Sequence, residues 1–121
     1  MPAFWDRAAA VQRLGGDELL LAELIAIFFE DYPRLHGRLS RGIAEGNLLA
    51  VREAAHTLKG SLAYLGAGEP AARAQEIETA ARSGESAPIA ELVRKLAFEV
   101  EVLRQAMTSP GGDQNCAGDV G

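Results

Sequence analysis

The sequence predicts an all-α fold: an antiparallel up-down-up-down four-helix bundle with a short extra helix at the N-terminus. Three observations predict it. Apolar residues recur at spacings of three and four along every long segment, the signature of a helix with one buried face. No segment alternates apolar and polar residues with a period of two over enough positions to make a strand. About half the residues are hydrophobic (48%) and few are aromatic (6%), with alanine and leucine carrying most of the apolar content, which favours helix over sheet.

The elements follow in order. Trp5–Leu14 reads as a short first helix closed by Gly15-Gly16. Asp17 is placed to cap a second helix, in which Leu20, Leu21, Leu24, Ile25, Phe28, Tyr32, Leu35 and Leu39 keep helical spacing. Pro33 falls inside it and predicts a kink. "RGIAEGN" (Arg41–Asn47) reads as a turn whose Asn47 caps a third helix. There Leu48, Val51, Ala55, Leu58, Leu62 and Leu65 form a bundle seam, ended by Gly66–Gly68. Pro70 suits the first turn of a fourth, alanine-rich helix running to about Arg82. Ser83–Ser86 is the next turn. A fifth helix from about Pro88 carries Ile89, Leu92, Val93, Leu96, Val100 and Leu103. Residues 1–107 are expected to form one bundle domain, and Thr108–Gly121, polar and without periodicity, a disordered tail.

Composition narrows the function. A formal charge of −5 with no basic stripe argues against sequence-independent nucleic-acid binding. Cys116 is the only cysteine, so neither an intrachain disulfide nor a cysteine zinc site can form. The longest apolar stretch, Leu19–Phe29, is broken by Glu23 and too short to span a bilayer. The N-terminus lacks the layout of a signal peptide. These features predict a cytoplasmic domain without direct membrane insertion. It would be a monomer, because each helix has one seam that the bundle itself can satisfy.

The stretch that demands explanation is Ala54–Gly68, "AAHTLKGSLAYLGAG". On a helical wheel His56 lies roughly 130° from the seam direction and Gly60 nearly opposite the seam. Arg52, Lys59 and Ala63 flank His56 on the same side, and Arg52, Glu53, Lys59 and Gly60 are its neighbours one turn away. A lone exposed histidine is ordinarily just a surface residue, and a lysine a solvated charge. The glycine is harder to dismiss: inside a helix it costs about 1 kcal/mol relative to alanine, and on the solvent side it marks close approach by another body. A nucleophilic imidazole, an adjacent ammonium and a cleared surface together describe a phosphoryl acceptor. A ring nitrogen is unprotonated at neutral pH, and Lys59 can partly neutralise the phosphoryl charge.

"HTLKGSLAYLGA" (His56–Ala67) resembles the signature of the histidine-containing phosphotransfer (HPt) domains of multistep phosphorelays: His-x-Leu-Lys-Gly-Ser/Ala, a short spacer, then an aliphatic residue and Gly-Ala. Every one of those positions is matched, and the resemblance extends over about residues 4–107. It implies that His56 takes a phosphoryl group from a receiver-domain aspartate, on a ring nitrogen that is usually Nε2, and passes it to another receiver. It further implies that Lys59 holds the phosphoryl group and that Gly60 admits the receiver. The position occupied by Glu78 is often a glutamine near the site; a carboxylate cannot donate a hydrogen bond to phosphate, so proximity carries over and that role does not. Ser61 and Gly66 read as packing and turn residues. On this resemblance the domain has no ATP site and is not an enzyme by itself. It needs no cofactor of its own, the Mg²⁺ being expected in the partner receiver. "GAGEPA" (Gly66–Ala71) fits G-x-G-x-x-A only superficially, because it follows a helix.

Receiver docking calls for an apolar patch. Phe4, Leu14, Leu21, Ile25 and Phe28 or Phe29 are the candidates, with ordinary core an equal reading for the two phenylalanines. His36, with no lysine or glycine at matching spacing, reads as a surface residue. The expected partners are response-regulator receivers, including the receiver of a hybrid histidine kinase if the chain is the C-terminal domain of one. Three rivals stand beside this reading: a non-phosphorylated helical adaptor, a hydrolase or metal site using His56 with Glu53 or Glu78, and a chemotaxis-type domain phosphorylated directly by a kinase.

Overall fold

In the computed structural model residues 4–108 are described, and they form five helices with no strand among them. The helices are α1 (Arg7–Arg13), α2 (Glu18–Glu45), α3 (Leu48–Tyr64), α4 (Gly68–Arg82) and α5 (Ile89–Thr108). Helix α3 packs on α2 and most extensively on α4; α4 packs on α5, and α5 returns to α2. The four long helices thus close into the expected bundle. Helix α5 runs one residue past the expected end of the domain, and the tail beyond it lies outside the described residues.

Three helices start where an acidic or amide side chain offers an oxygen to an unpaired backbone N–H. Asp6 accepts from Ala9 N, Asp17 from Leu20 N and Asn47 from Ala50 N. The first of these shortens α1 relative to expectation, because Asp6 caps the helix and leaves Trp5 outside it. Helix α2 differs more. It runs unbroken through Pro33 and continues to Glu45, so the predicted Arg41–Asn47 turn shrinks to Gly46 and Asn47. Pro33 gives up one helical hydrogen bond, but burial of Phe28, Leu35 and Leu39 on either side holds the helix together. Gly42 stays helical because it serves a contact: a Cβ there would lie 2.7 Å from Val51 Cγ2 of α3. The chain reverses at Gly46 instead, in the left-handed conformation (φ +68°) that glycine adopts without cost.

The core is one stripe from each helix. Leu39, Val51, Leu58, Leu62, Ile77, Ile89, Leu96 and Leu103 are fully buried. Burying each contributes about 1.5–3 kcal/mol relative to leaving it exposed. Small residues set the α3–α4 spacing: Ala54 and Ala55 on α3 face a helix whose buried positions include Ala71, Ala74, Ala80 and Ala81. That close pairing brings a polar residue of α4, Glu78, against the outer flank of α3. A second cross-link ties α4 to α5, where Arg73 donates from Nε and Nη2 to the two oxygens of Glu99 at 3.3 and 3.0 Å. Helix α1 lies across the C-terminal end of α3. Asp6 N donates to Gly66 O, Trp5 Nε1 to Leu65 O, and Arg13 Nη1 to the carbonyls of Ala63 and Tyr64.

Candidate functional site

The site centres on one buried carboxylate. Glu78 is 3% exposed, the one charged side chain among the buried described residues. Its Oε2 accepts from His56 Nδ1 at 3.0 Å and from Arg82 Nη2 at 2.9 Å. Lys59 Nζ lies 2.9 Å from Oε1, an ionic contact off the angle of a regular hydrogen bond. The spacing explains the assembly. His56 and Lys59 are three apart on α3 and share a flank, while Glu78 and Arg82 are four apart on α4, the separation at which helical side chains meet. The Lys59 ammonium is the largest influence on Glu78 and, with His56, holds its carboxyl below the usual carboxylate range against the opposing effect of burial.

An ionised Glu78 fixes the imidazole. A carboxylate only accepts, so Nδ1 must carry the proton and donate, and the lone pair of the neutral ring resides on Nε2. The His56 side chain is 66% exposed, and Nε2 has no protein partner among the described residues. The ring is therefore anchored on its inner nitrogen and open on its outer one.

Two concavities flank the histidine. One is a polar cleft of about 480 Å³ lined by Arg52, Glu53, His56, Thr57, Glu78 and Arg82. The other is a groove of about 390 Å³ between α2 and α3, where Leu24, Ile27, Phe28, Gly60 and Tyr64 supply an apolar lining. A Cβ on Gly60 would meet nothing within 4 Å, so its absence relieves no contact inside the chain. The predicted site residues divide accordingly. His56, Lys59 and Glu78 come together, Arg52 lines the cleft beside them, and Gly60 opens on the other groove. Glu53 lines the cleft but also leans 3.6 Å from Arg38 of α2. Ala63 is exposed, and its carbonyl is engaged by Arg13.

The predicted docking residues need correction. Leu21, Ile25 and Phe28 are 2%, 8% and 5% exposed and belong to the core stripe of α2. Only Phe28 also reaches the floor of the groove beside Gly60. Phe29 packs edge-on against Phe28 and faces Trp5 and Met107, away from His56. Phe4 and Leu14 are partly buried against the core. The apolar surface next to the histidine comes from Ile27 and Tyr64, about half exposed, with Leu24. Ile27 lies off the α2 seam, and Tyr64 is four residues past Gly60; an apolar residue off its seam was the available signal for both. Arg82 was also missed, although its position four residues after Glu78 was legible. Among the described residues no group of three or more His, Cys, Asp or Glu is placed to hold a metal ion, and no helix is long and apolar enough to cross a membrane.

The profile of the Hpt domain family matches residues 23–107. The chain belongs to the Hpt domain family. Hpt domains are phosphohistidine carriers of two-component phosphorelays, helical bundles that interact with response-regulator receiver domains and are not independent enzymes. Neither a curated protein nor a solved structure matches the chain. The Hpt match begins inside α2, so α1 and the α2 N-terminus lie upstream of it.

Proposed function

We propose that this Hpt domain accepts a phosphoryl group on Nε2 of His56 from the aspartyl phosphate of one receiver domain and passes it to the aspartate of another. The observation that carries the reading is the His56–Glu78 hydrogen bond, which leaves Nε2 as the exposed, unprotonated nitrogen. In the accepting step the Nε2 lone pair forms an N–P bond while the P–O bond to the receiver aspartate breaks and that carboxylate leaves with the electron pair. The proton stays on Nδ1. The ring becomes cationic as the bond forms, and the buried Glu78 carboxylate stabilises that charge, as the carboxylate of a catalytic triad stabilises its imidazolium. The return step reverses this sequence. Lys59 lies beside the ring and offers positive charge to the phosphoryl oxygens. The Mg²⁺ expected for the transfer belongs to the receiver's acidic pocket; this chain contributes a nucleophile whose tautomer and orientation are set beforehand.

Gly60 and the groove beside it support docking of the receiver on the α2–α3 face, with Leu24, Ile27 and Tyr64 meeting apolar residues of the partner. The test is intact-protein mass after incubation with a phosphorylated receiver. One acid-labile phosphoryl adduct, absent in His56→Gln, is expected. No adduct with any of several receivers would leave a bundle that works by binding alone.

A further inference from the structure

We infer that Arg82 is a phosphoryl-binding residue parked on Glu78, and that it exchanges the carboxylate for the phosphoryl group when His56 is modified. The inference rests on the carrier reading above and adds to it a residue and a movement. Arg82 and His56 bond the same oxygen of Glu78, so guanidinium and imidazole are neighbours across a single atom. His56, Arg52 and Arg82 line one cleft, so a group attached to the ring lies beside both guanidinium-bearing side chains. Arg52 has no acidic partner among the described residues, and the two carboxylates of the cleft are already engaged, Glu53 by Arg38 and Glu78 by His56, Lys59 and Arg82.

The charge count favours exchange. In the free state two cations, Lys59 and Arg82, face one carboxylate. Phosphorylation makes the ring cationic and adds about two negative charges on the phosphoryl group. Glu78 then holds an imidazolium as well as Lys59 and no longer needs Arg82, while the phosphoryl oxygens need a cation. Of the two cations Arg82 is the freer. Its side chain is 54% exposed against 29% for Lys59. Its bond to Glu78 is made along α4 itself, four residues apart, so releasing it breaks no contact between helices. A guanidinium also matches phosphate with two parallel N–H donors, which an ammonium cannot do.

The test compares wild type, Arg82→Gln and Arg82→Lys for the equilibrium ratio of phospho-His56 to phospho-aspartate. A receiver domain charged with acetyl phosphate and freed of it serves as partner. Arg94→Gln, on the outer face of α5, is the control for loss of a surface arginine. The glutamine variant is expected to shift the ratio roughly fivefold toward the receiver, with lysine restoring less than half of the loss and the control unchanged. The Arg82 side-chain ¹⁵N resonances of the wild type should move when His56 is phosphorylated with phosphoramidate. A ratio unchanged in Arg82→Gln, with unmoved Arg82 resonances, would overturn the inference and leave the carrier reading intact. Failure of the wild type to form an adduct with either donor would overturn both.

Discussion

The chain has two histidines, both on long helices of the same bundle, and their surroundings could hardly differ more. His36 on α2 is half-buried, with its ring 5.7 Å from that of Tyr32, which in turn packs on Phe28. No carboxylate holds either of its nitrogens among the described residues. His56 is exposed, hydrogen-bonded to a buried glutamate, accompanied by a lysine on that glutamate and followed one turn later by an open glycine. The contrast between the two rings is made by the neighbouring helix. Helix α3 presents the imidazole, but the residue that selects its tautomer comes from α4, and the alanine-lined contact between the two helices makes that selection possible.

The sharpest way to break the comparison is to exchange the fates of the two rings. His56→Gln should abolish phosphoryl acceptance, measured as adduct mass, and leave the melting temperature nearly unchanged because the side chain is outside the core. His36→Gln should retain full acceptance. Next in size is Glu78→Gln, an amide of the same shape. Losing the charged acceptor should slow transfer about ten- to a hundredfold in single-turnover assays, the equivalent of one charge-assisted hydrogen bond of roughly 1.5–3 kcal/mol. The same variant tests a pH effect. The folded-state pKa of Glu78 lies below its unfolded value, so its contribution to stability is fully present above about pH 4.3 and is lost as pH falls through the folded pKa. Urea titrations should show wild type losing stability over that acidic range more steeply than Glu78→Gln.

Smaller effects sharpen the contrast. Gly60 and Gly37 are both helical glycines whose added Cβ would meet nothing. Alanine at either should raise stability by about 0.5–1 kcal/mol through helix propensity. A bulky side chain at Gly60 should also impair transfer from a receiver, and one at Gly37 should not; normal transfer by Gly60→Leu would remove the argument for close approach. The smallest effect belongs to Tyr32, whose buried hydroxyl has no partner among the described residues and whose phenol burial pushes up to about 12. Tyr32→Phe should leave thermal stability equal or higher by up to about 1 kcal/mol, with transfer untouched.

Much of this was legible beforehand, and the gaps share a cause. The five helices, the Asp17 and Asn47 caps and the exposed flank of His56 follow from periodicity and capping chemistry, which act within one helix. The passage of α2 through Pro33 was expected, but its continuation past Arg41 and through Gly42 was not legible, because packing against α3 overrides local propensity there. At the site, Lys59 and Gly60 could be placed from their spacing to His56. The direct grip of Glu78 on His56 and the choice of Ile27 and Tyr64 over Leu21 and Ile25 depend on how α2, α3 and α4 are rotated against one another. Spacing along one helix carries no information about that rotation.

The strap formed by α1 also bears on where this domain can be cut. The Hpt match starts at residue 23, inside α2, yet four backbone carbonyls at the end of α3, from Ala63 to Gly66, are satisfied by Asp6, Trp5 and Arg13. Gly66 is bound to that arrangement, since a Cβ there would fall against the Asp6 carbonyl. A fragment trimmed to the shared family region would lose those donors and leave the last turn of α3 to fray, two turns from His56. The portable unit, for transplanting this phosphoryl station between signalling chains, therefore begins at or before Trp5.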